Sequence, residues 1–193
     1  MKPRLIVASA AALAAVAGVV LASAAADAPA QANKAVVKRF FEEVYNQRKG
    51  LAVVDELFAP DYLMHDPQQP GGADKPGREA LKERITRILE AVPDYRIRID
   101  DIAAEGDIVA VRFTGQGTHR GDFMGVRATG RPVQFMGFVH CRVRNGRIVE
   151  AWQLADILGV YRQLGVGVTL VKPAEPPSPY RRQKDDAPQP WIR

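Results

Sequence analysis

Apolar residues recur at helical spacing in the first half of the chain. A helix is predicted from Asn33, a candidate N-cap, to Gly50, and Leu51–Phe58 forms a shorter amphipathic segment. Arg78–Val92 repeats the pattern and is closed by Pro93. The first half of the domain is therefore expected to be mainly helical.

After Pro93 the apolar residues alternate with polar ones, which is typical of half-buried strands. Counting a short extended run before the Arg78 helix, the predicted strands are Asp61–Asp66, a strand that starts at Tyr95, Ile108–Thr118, Val133–Arg144 and Ile148–Leu154. Helices followed by an antiparallel meander indicate an α+β domain. One curved sheet with helices on a single face would enclose a cone-shaped cavity.

The N-terminus has the pattern of a secretory signal. Lys2 and Arg4 precede an apolar run, Leu5–Leu21, and small residues follow it. Removal of residues 1–26 is expected, with cleavage as late as residue 32 as an alternative. An uncleaved N-terminal membrane anchor is the less favoured interpretation. Export to the periplasm or the medium follows, with no stable membrane association once the signal is removed.

The net charge of +5 belongs mostly to the two ends of the chain. Lys2 and Arg4 account for two of these charges, and the tail from Lys172 onward contributes a further net +2. The domain between them, residues 33–171, is close to neutral, so no nucleic-acid partner is expected. The tail, residues 172–193, is rich in Pro and charge and is predicted to be disordered.

Cysteine and histidine usage argues against a disulfide framework and against a metal site. Cys141 is the only cysteine, and its position within a strand predicts a buried, inert thiol. The histidines at 65, 119 and 140 lack metal-ligand spacing, so no metal is expected. The glycines between 115 and 125 lack the strand–loop–helix setting of a phosphate loop.

Asn145-Gly146 predicts a two-residue hairpin turn between the last two strands. If the strands are regular, Val139 lies opposite Trp152, and Phe135 lies opposite Asp156. The resulting apolar face is formed by Phe135, Val139, Val143, Trp152 and Leu154, with Asp156 at its end.

Asp156 is the leading catalytic candidate. A carboxylate at the edge of an apolar cavity is a candidate to exchange protons near neutral pH. The structural alternative is an N-cap, because Ile157–Leu164 has the pattern of a short helix that ends at Gly165. Both roles remain open at this point. The candidate pocket residues around Asp156 are His65, His119, Trp152, Tyr62, Phe135 and Val139.

Nearly the whole predicted domain, from Ala35 to Gly165, resembles the SnoaL-like polyketide cyclase (ester cyclase) family. The matching segments are FFEEVYN, VVDELFAPDYLMHDP, VPDYRIRIDDIAAEGDIVAVRF, GTHRGDFMGVRATGRPV and NGRIVEAWQLADILGVYRQLG. The resemblance implies the nuclear transport factor 2-like cone, usually dimeric. It also implies that Asp156, which ends the motif Glu150-x-Trp152-x-x-x-Asp156, is the general acid/base of an intramolecular aldol closure without metal or redox cofactor.

The expected function is cofactor-independent acid/base catalysis on a small apolar carbonyl compound, such as a polyketide-like ester, in a hydrophobic pocket. A homodimer is the expected assembly. One alternative is a non-catalytic protein of the same fold that binds a small ligand. Another is an isomerase or dehydratase that uses one carboxylate without closing a ring.

Overall fold

A computed structural model describes residues 28–68 and 76–167 of the chain. Helix α1 covers residues 28–40 and continues as a π-helical turn, Phe41–Asn46. The other elements are α2 (Ala52–Leu57), β1 (Phe58–His65), α3 (Arg78–Ala91), β2 (Arg96–Glu105), β3 (Ile108–Thr118), β4 (Pro132–Arg144), β5 (Arg147–Ala155) and α4 (Ile157–Leu164). The predicted signal and tail lie outside the described residues.

The strands form one five-stranded sheet in the order β1-β5-β4-β3-β2. The β2–β5 meander is antiparallel, as its alternation predicts. β1 adds an edge strand parallel to β5, which the meander pattern did not indicate. The predicted α+β class is confirmed.

The main core lies between the inner face of the sheet and helices α1, α2 and α3. Val37, Val54 and Ile85 contribute from the three helices, and Val109 and Ile148 contribute from the sheet; all five are fully buried. Asn33 was predicted as an N-cap but lies inside α1, where its amide donates to the Gly106 carbonyl at 3.0 Å. Its side chain therefore joins the helix to the β2–β3 turn.

Cys141 lies in the core, as its position in a strand predicts. Its side chain is 4% exposed, and burial raises the pKa of its thiol to about 12. The thiol therefore stays protonated at neutral pH and is a poor nucleophile.

The β4–β5 hairpin contains the predicted turn and one irregularity. Asn145 and Gly146 both have positive φ, as a type I′ turn requires. Val143 pairs with Ile148, but the register then shifts, and Arg142 pairs with Glu150. Val149 is thus an extra residue, a β-bulge, and every side chain of β5 beyond it lies on the face opposite to the predicted one.

The bulge makes the predicted apolar face wrong. Trp152 pairs with His140 and Leu154 pairs with Phe138. These four side chains lie on the outer face of the sheet, where Leu154 is 55% exposed. The residues of β5 that alternate with Trp152 and Leu154 face the helices instead.

Among the described residues, no helix is long and apolar enough to cross a membrane.

Candidate functional site

A cavity of about 340 Å³ opens between the inner face of the sheet and helices α1, α3 and α4. Most of its wall is apolar. Six aromatic residues contribute to the wall: Phe41, Tyr45, Tyr95, Phe113, Phe123 and Phe135. A cavity of this size and character suits a small, largely apolar ligand.

The aromatic wall owes its shape to glycines in the strands. Tyr95 and Phe135 stack with ring centroids 6.1 Å apart. A Cβ atom at Gly115 would come within 2.4 Å of the Tyr95 hydroxyl, and one at Gly137 would come within 2.4 Å of the Phe113 ring. Both strand positions therefore need a residue without a side chain for the rings to pack as they do.

The phenols in the wall stay protonated at neutral pH. Burial raises the pKa of Tyr45 to about 12 and raises the pKa of Tyr95 further. The two rings meet edge to face with centroids 5.5 Å apart. They contribute neutral hydroxyl groups to the cavity rather than charges.

Asp66 is a largely buried carboxylate in the cavity wall. It follows directly after β1, and its side chain is 6% exposed. One of its oxygens is 2.9 Å from a guanidinium nitrogen of Arg84 on α3, and the other accepts a hydrogen bond from the Gln68 N–H at 3.0 Å. The carboxylate is therefore held by two separate segments of the chain.

Gln68 joins this loop to the end of β5. Its side-chain amide donates to the Ala155 carbonyl at 2.6 Å, and its amide oxygen accepts from the Ala155 N–H at 2.7 Å. The pair of bonds continues the parallel β1–β5 contact beyond the last residue of β1. Gln153 and Ala155, two inward-facing residues of β5, line the cavity beside it.

His119 is almost fully buried, with 1% of its surface exposed. It lies in the wall of the cavity, just after β3. The Thr129 backbone N–H donates to its Nδ1 at 3.3 Å, and the Thr129 hydroxyl is 3.1 Å from the same atom. Its Nε2 has no hydrogen-bond partner within the described residues.

The segment that carries His119 is fixed on the C-terminal end of α3. The backbone N–H groups of Arg120 and Gly121 donate to the Ala91 carbonyl at 2.8 and 2.9 Å. A Cβ atom at Gly121 would lie 2.5 Å from the Glu90 carbonyl oxygen, so this approach requires glycine. These contacts give a terminal carbonyl of α3 its hydrogen-bond donors and fix the position of His119 in the cavity wall.

Asp156 does not line the cavity formed by the described residues. It is exposed and caps α4, where its carboxylate accepts from the Gly159 N–H at 2.8 Å. The predicted end cap is also present, because Gly165 is left-handed with φ of 84°. The N-cap alternative is confirmed. The face predicted for Asp156 is wrong because of the bulge at Val149, and its acid/base role stays a prediction.

The six predicted pocket residues are divided among three locations. Phe135 and His119 line the cavity. Tyr62 and Val139 face inward but are buried in the main core, and Tyr62 packs edge to face on Phe58 at 4.8 Å.

The other two candidates lie on the outer face. His65 stacks on Trp152 with centroids 5.0 Å apart and has its Nε2 2.9 Å from a Glu150 oxygen. The parallel pairing of His65 with Trp152 places both on the face that the bulge turns outward. Neither is in contact with the cavity.

Asp66 and Arg84 were not predicted as site residues. The available signal was weak: Asp66 follows a strand, and Arg84 is a charged residue adjacent to the apolar stripe that includes Ile85. In the described residues no group of three His, Cys, Asp or Glu side chains is arranged to hold a metal ion.

Comparison with known proteins gives consistent matches over the described domain. The model of the SnoaL-like polyketide cyclase family matches residues 35–164. The aklanonic acid methyl ester cyclase DauD of Streptomyces sp. (strain C5) is 29% identical in an alignment 150 residues long, which covers 74% of this chain and 89% of DauD.

Solved structures agree with this match. Wild-type IdmH from Streptomyces antibioticus is 34% identical, with a TM-score of 0.60 over 69% of this chain and 99% of IdmH. TsrD from Streptomyces laurentii is 26% identical, with a TM-score of 0.62 over 70% of this chain and 96% of TsrD.

The cap at Asp156 leads to a stability prediction. Asp156→Ala should lower the free energy of unfolding by about 1 kcal/mol, because the Gly159 N–H loses its acceptor. Asp156→Ser keeps an acceptor and should lie within a few tenths of a kcal/mol of the wild type. Urea denaturation measures both values. Equal stability of all three proteins would show that the cap contributes nothing.

Proposed function

The chain belongs to the SnoaL-like polyketide cyclase family, and from this we propose that it closes a ring in a small ester containing ketone carbonyls by acid/base catalysis in the described cavity. Family membership supports a cyclase-type reaction without a cofactor. The observation that carries the proposal for this chain is the largely buried Asp66 carboxylate in an otherwise mainly aromatic and aliphatic wall.

The proposed reaction is an intramolecular aldol closure. Asp66 takes a proton from the carbon next to one carbonyl, and the electron pair moves toward that carbonyl oxygen to form an enolate. The electron pair of the enolate then forms a bond from its carbon to a second carbonyl carbon of the same molecule, and the first carbonyl is restored. The oxygen of the second carbonyl takes up the proton that Asp66 removed, which returns Asp66 to the carboxylate form. The cavity contributes by holding the chain bent, so that the two carbons meet.

Arg84 holds the Asp66 carboxylate in place through an ion pair. Its guanidinium lies 2.9 Å from the carboxylate, and its own side chain is only 16% exposed. A fixed ion pair at the wall holds the carboxylate in one place instead of letting it rotate into solvent. Arg84 is therefore proposed as a positioning residue.

Asp156 is the competing assignment for the acid/base. It would have to leave the Gly159 N–H and turn to the other side of β5 to meet a ligand in the cavity. The two assignments predict opposite outcomes for the same pair of substitutions.

A second candidate function is the binding of a small ligand without turnover. The observation that favours it is the side-chain amide of Gln153, which lies on the inward face of β5 and lines the cavity. An amide donates and accepts hydrogen bonds but does not ionise near neutral pH, so it does not serve as a general acid or base. Turnover by the wild type separates the two functions.

Aklanonic acid methyl ester, the compound in the name of the relative DauD, is the first substrate to test. Asp66→Asn should lower the rate of ring closure about 10²- to 10⁴-fold, because the proton acceptor is lost. Asp156→Asn should stay near the wild-type rate. Asp122→Asn, which changes an exposed carboxylate at the cavity wall, is the matched control and should also stay near the wild type.

Single-turnover assays followed by mass spectrometry and absorbance measure these rates, with circular dichroism to establish that each variant folds. Loss of turnover in Asp156→Asn with retention in Asp66→Asn would reverse the assignment. Binding without turnover in the wild type would favour the ligand-binding function.

Export is proposed from the first 26 residues, which lie outside the described part of the chain. Expression of the full chain in a Gram-negative host should give a periplasmic protein whose N-terminus lies near Asp27. Cell fractionation and intact-mass measurement detect it. A cytoplasmic protein that keeps Met1 would contradict export.

The outer face of β4 and β5 is proposed as the contact with a second copy of the chain. Met136, Phe138 and Leu154 are each about half exposed on this face. The charges beside them are paired within the face, since Glu150 lies 3.2 Å from Arg142 and 2.9 Å from His65. A face that contains both charge signs and apolar side chains can pack on its own two-fold copy.

Sedimentation velocity tests the dimer. The wild type should sediment as a dimer and Leu154→Asp as a monomer. Leu158→Asp, which changes an exposed apolar residue of α4, should remain dimeric. A monomeric wild type, or dissociation by Leu158→Asp alone, would exclude this interface.

A further inference from the structure

His119 has an imidazole nitrogen that the described part of the fold leaves without a partner. The residue is 1% exposed, and its Nε2 has no hydrogen-bond partner within the described residues. Buried polar groups are nearly always paired, because water no longer compensates them. The exception here lies in the wall of the cavity, where a ligand could supply the missing partner.

The hydrogen bonds of Thr129 determine which nitrogen carries the hydrogen. The Thr129 backbone N–H donates to Nδ1 at 3.3 Å, and a backbone N–H has no lone pair with which to accept. Nδ1 is therefore the acceptor, and in the neutral ring the hydrogen lies on Nε2. The nearby Thr129 hydroxyl, 3.1 Å from Nδ1, is compatible with this because a hydroxyl also donates.

The ring is held in place by the backbone on both sides. The His119 N–H donates to the Arg131 carbonyl at 2.9 Å, and the Gly130 N–H donates to the His119 carbonyl at 2.8 Å. The next residue is hydrogen-bonded to the end of α3 through the Ala91 carbonyl. Tautomer and position of the imidazole are thus both set before any ligand arrives.

We infer that the Nε2–H of His119 donates a hydrogen bond to a carbonyl oxygen of an aromatic ketone or ester in the cavity. The inference for binding stands on the cavity and on His119 alone. Its catalytic consequence rests on the proposed function: when Asp66 removes the neighbouring proton, negative charge develops on that carbonyl oxygen. A donor already in position stabilises this charge without transferring its own proton.

The tautomer is tested first, on the ligand-free wild-type protein with ¹⁵N-labelled histidine. Long-range ¹H–¹⁵N spectra distinguish the two neutral tautomers, and the His119 signals are those missing from His119→Gln. The expected result is a hydrogen on Nε2. A hydrogen on Nδ1 would overturn the inference.

Binding is tested with 9-fluorenone and with fluorene, which has the same ring system without the carbonyl. The ratio of their dissociation constants is measured for the wild type, His119→Gln, His119→Asn and His119→Phe. A glutamine amide nitrogen reaches the place of Nε2, whereas an asparagine side chain reaches only the place of Nδ1.

The preference for the ketone should fall about tenfold in His119→Asn and His119→Phe, the effect of losing one hydrogen bond. His119→Gln should keep most of the preference. Equal ratios in all four proteins, or a wild type that binds neither compound, would overturn the inference. A retained ketone preference with no ring closure of aklanonic acid methyl ester would reject the proposed function and leave the role of His119 in binding intact.

Discussion

One extra residue in β5 decides which side chains of that strand meet the cavity. At Val149 the pairing with β4 shifts by one position, so that Arg142 lies opposite Glu150 after Val143 has paired with Ile148. Side chains alternate along a strand, and a single inserted residue therefore exchanges the two faces beyond it. Gln153 and Ala155 turn inward as a result, while Trp152 and Leu154 turn outward. Both the chemistry of the cavity and the apolar outer face depend on this one irregularity.

With β5 presenting an amide and a methyl group, the polar groups of the cavity come from elsewhere. Asp66 comes from the segment after β1 and is held by Arg84 of α3. His119 comes from the segment after β3, which is fixed on the end of α3 through the Ala91 carbonyl. Both groups therefore depend on α3, one through a side chain and the other through a helix terminus. This common support gives a physical reason why a carboxylate and an imidazole donor keep fixed places in a mostly apolar wall.

Local patterns predicted the elements well. The alternation over Ile108–Thr118 matches β3 from end to end, and Asn145-Gly146 forms the expected turn. The spacing of Asp156 and Gly165 was enough to predict both caps of α4. Each of these features depends on neighbours within a few residues, which is the range over which turn and capping preferences act.

The site was harder to predict because it depends on contacts between distant segments. No glycine or proline marks the bulge at Val149, and nothing near Asp66 in the sequence indicates that Arg84 lies beside it. The sequence pattern also did not indicate the shape of the connection that brings Thr129 to His119 Nδ1, and Nε2 has no partner within the described residues.

The most direct test of the proposed site is a crystal structure of the wild-type protein with 9-fluorenone bound. The ketone should lie between Phe135 and α3 with its oxygen on His119 Nε2, and Asp156 should still be bonded to the Gly159 N–H. A ketone on the outer face beside Trp152, or an Asp156 carboxylate turned into the cavity, would contradict the proposed site.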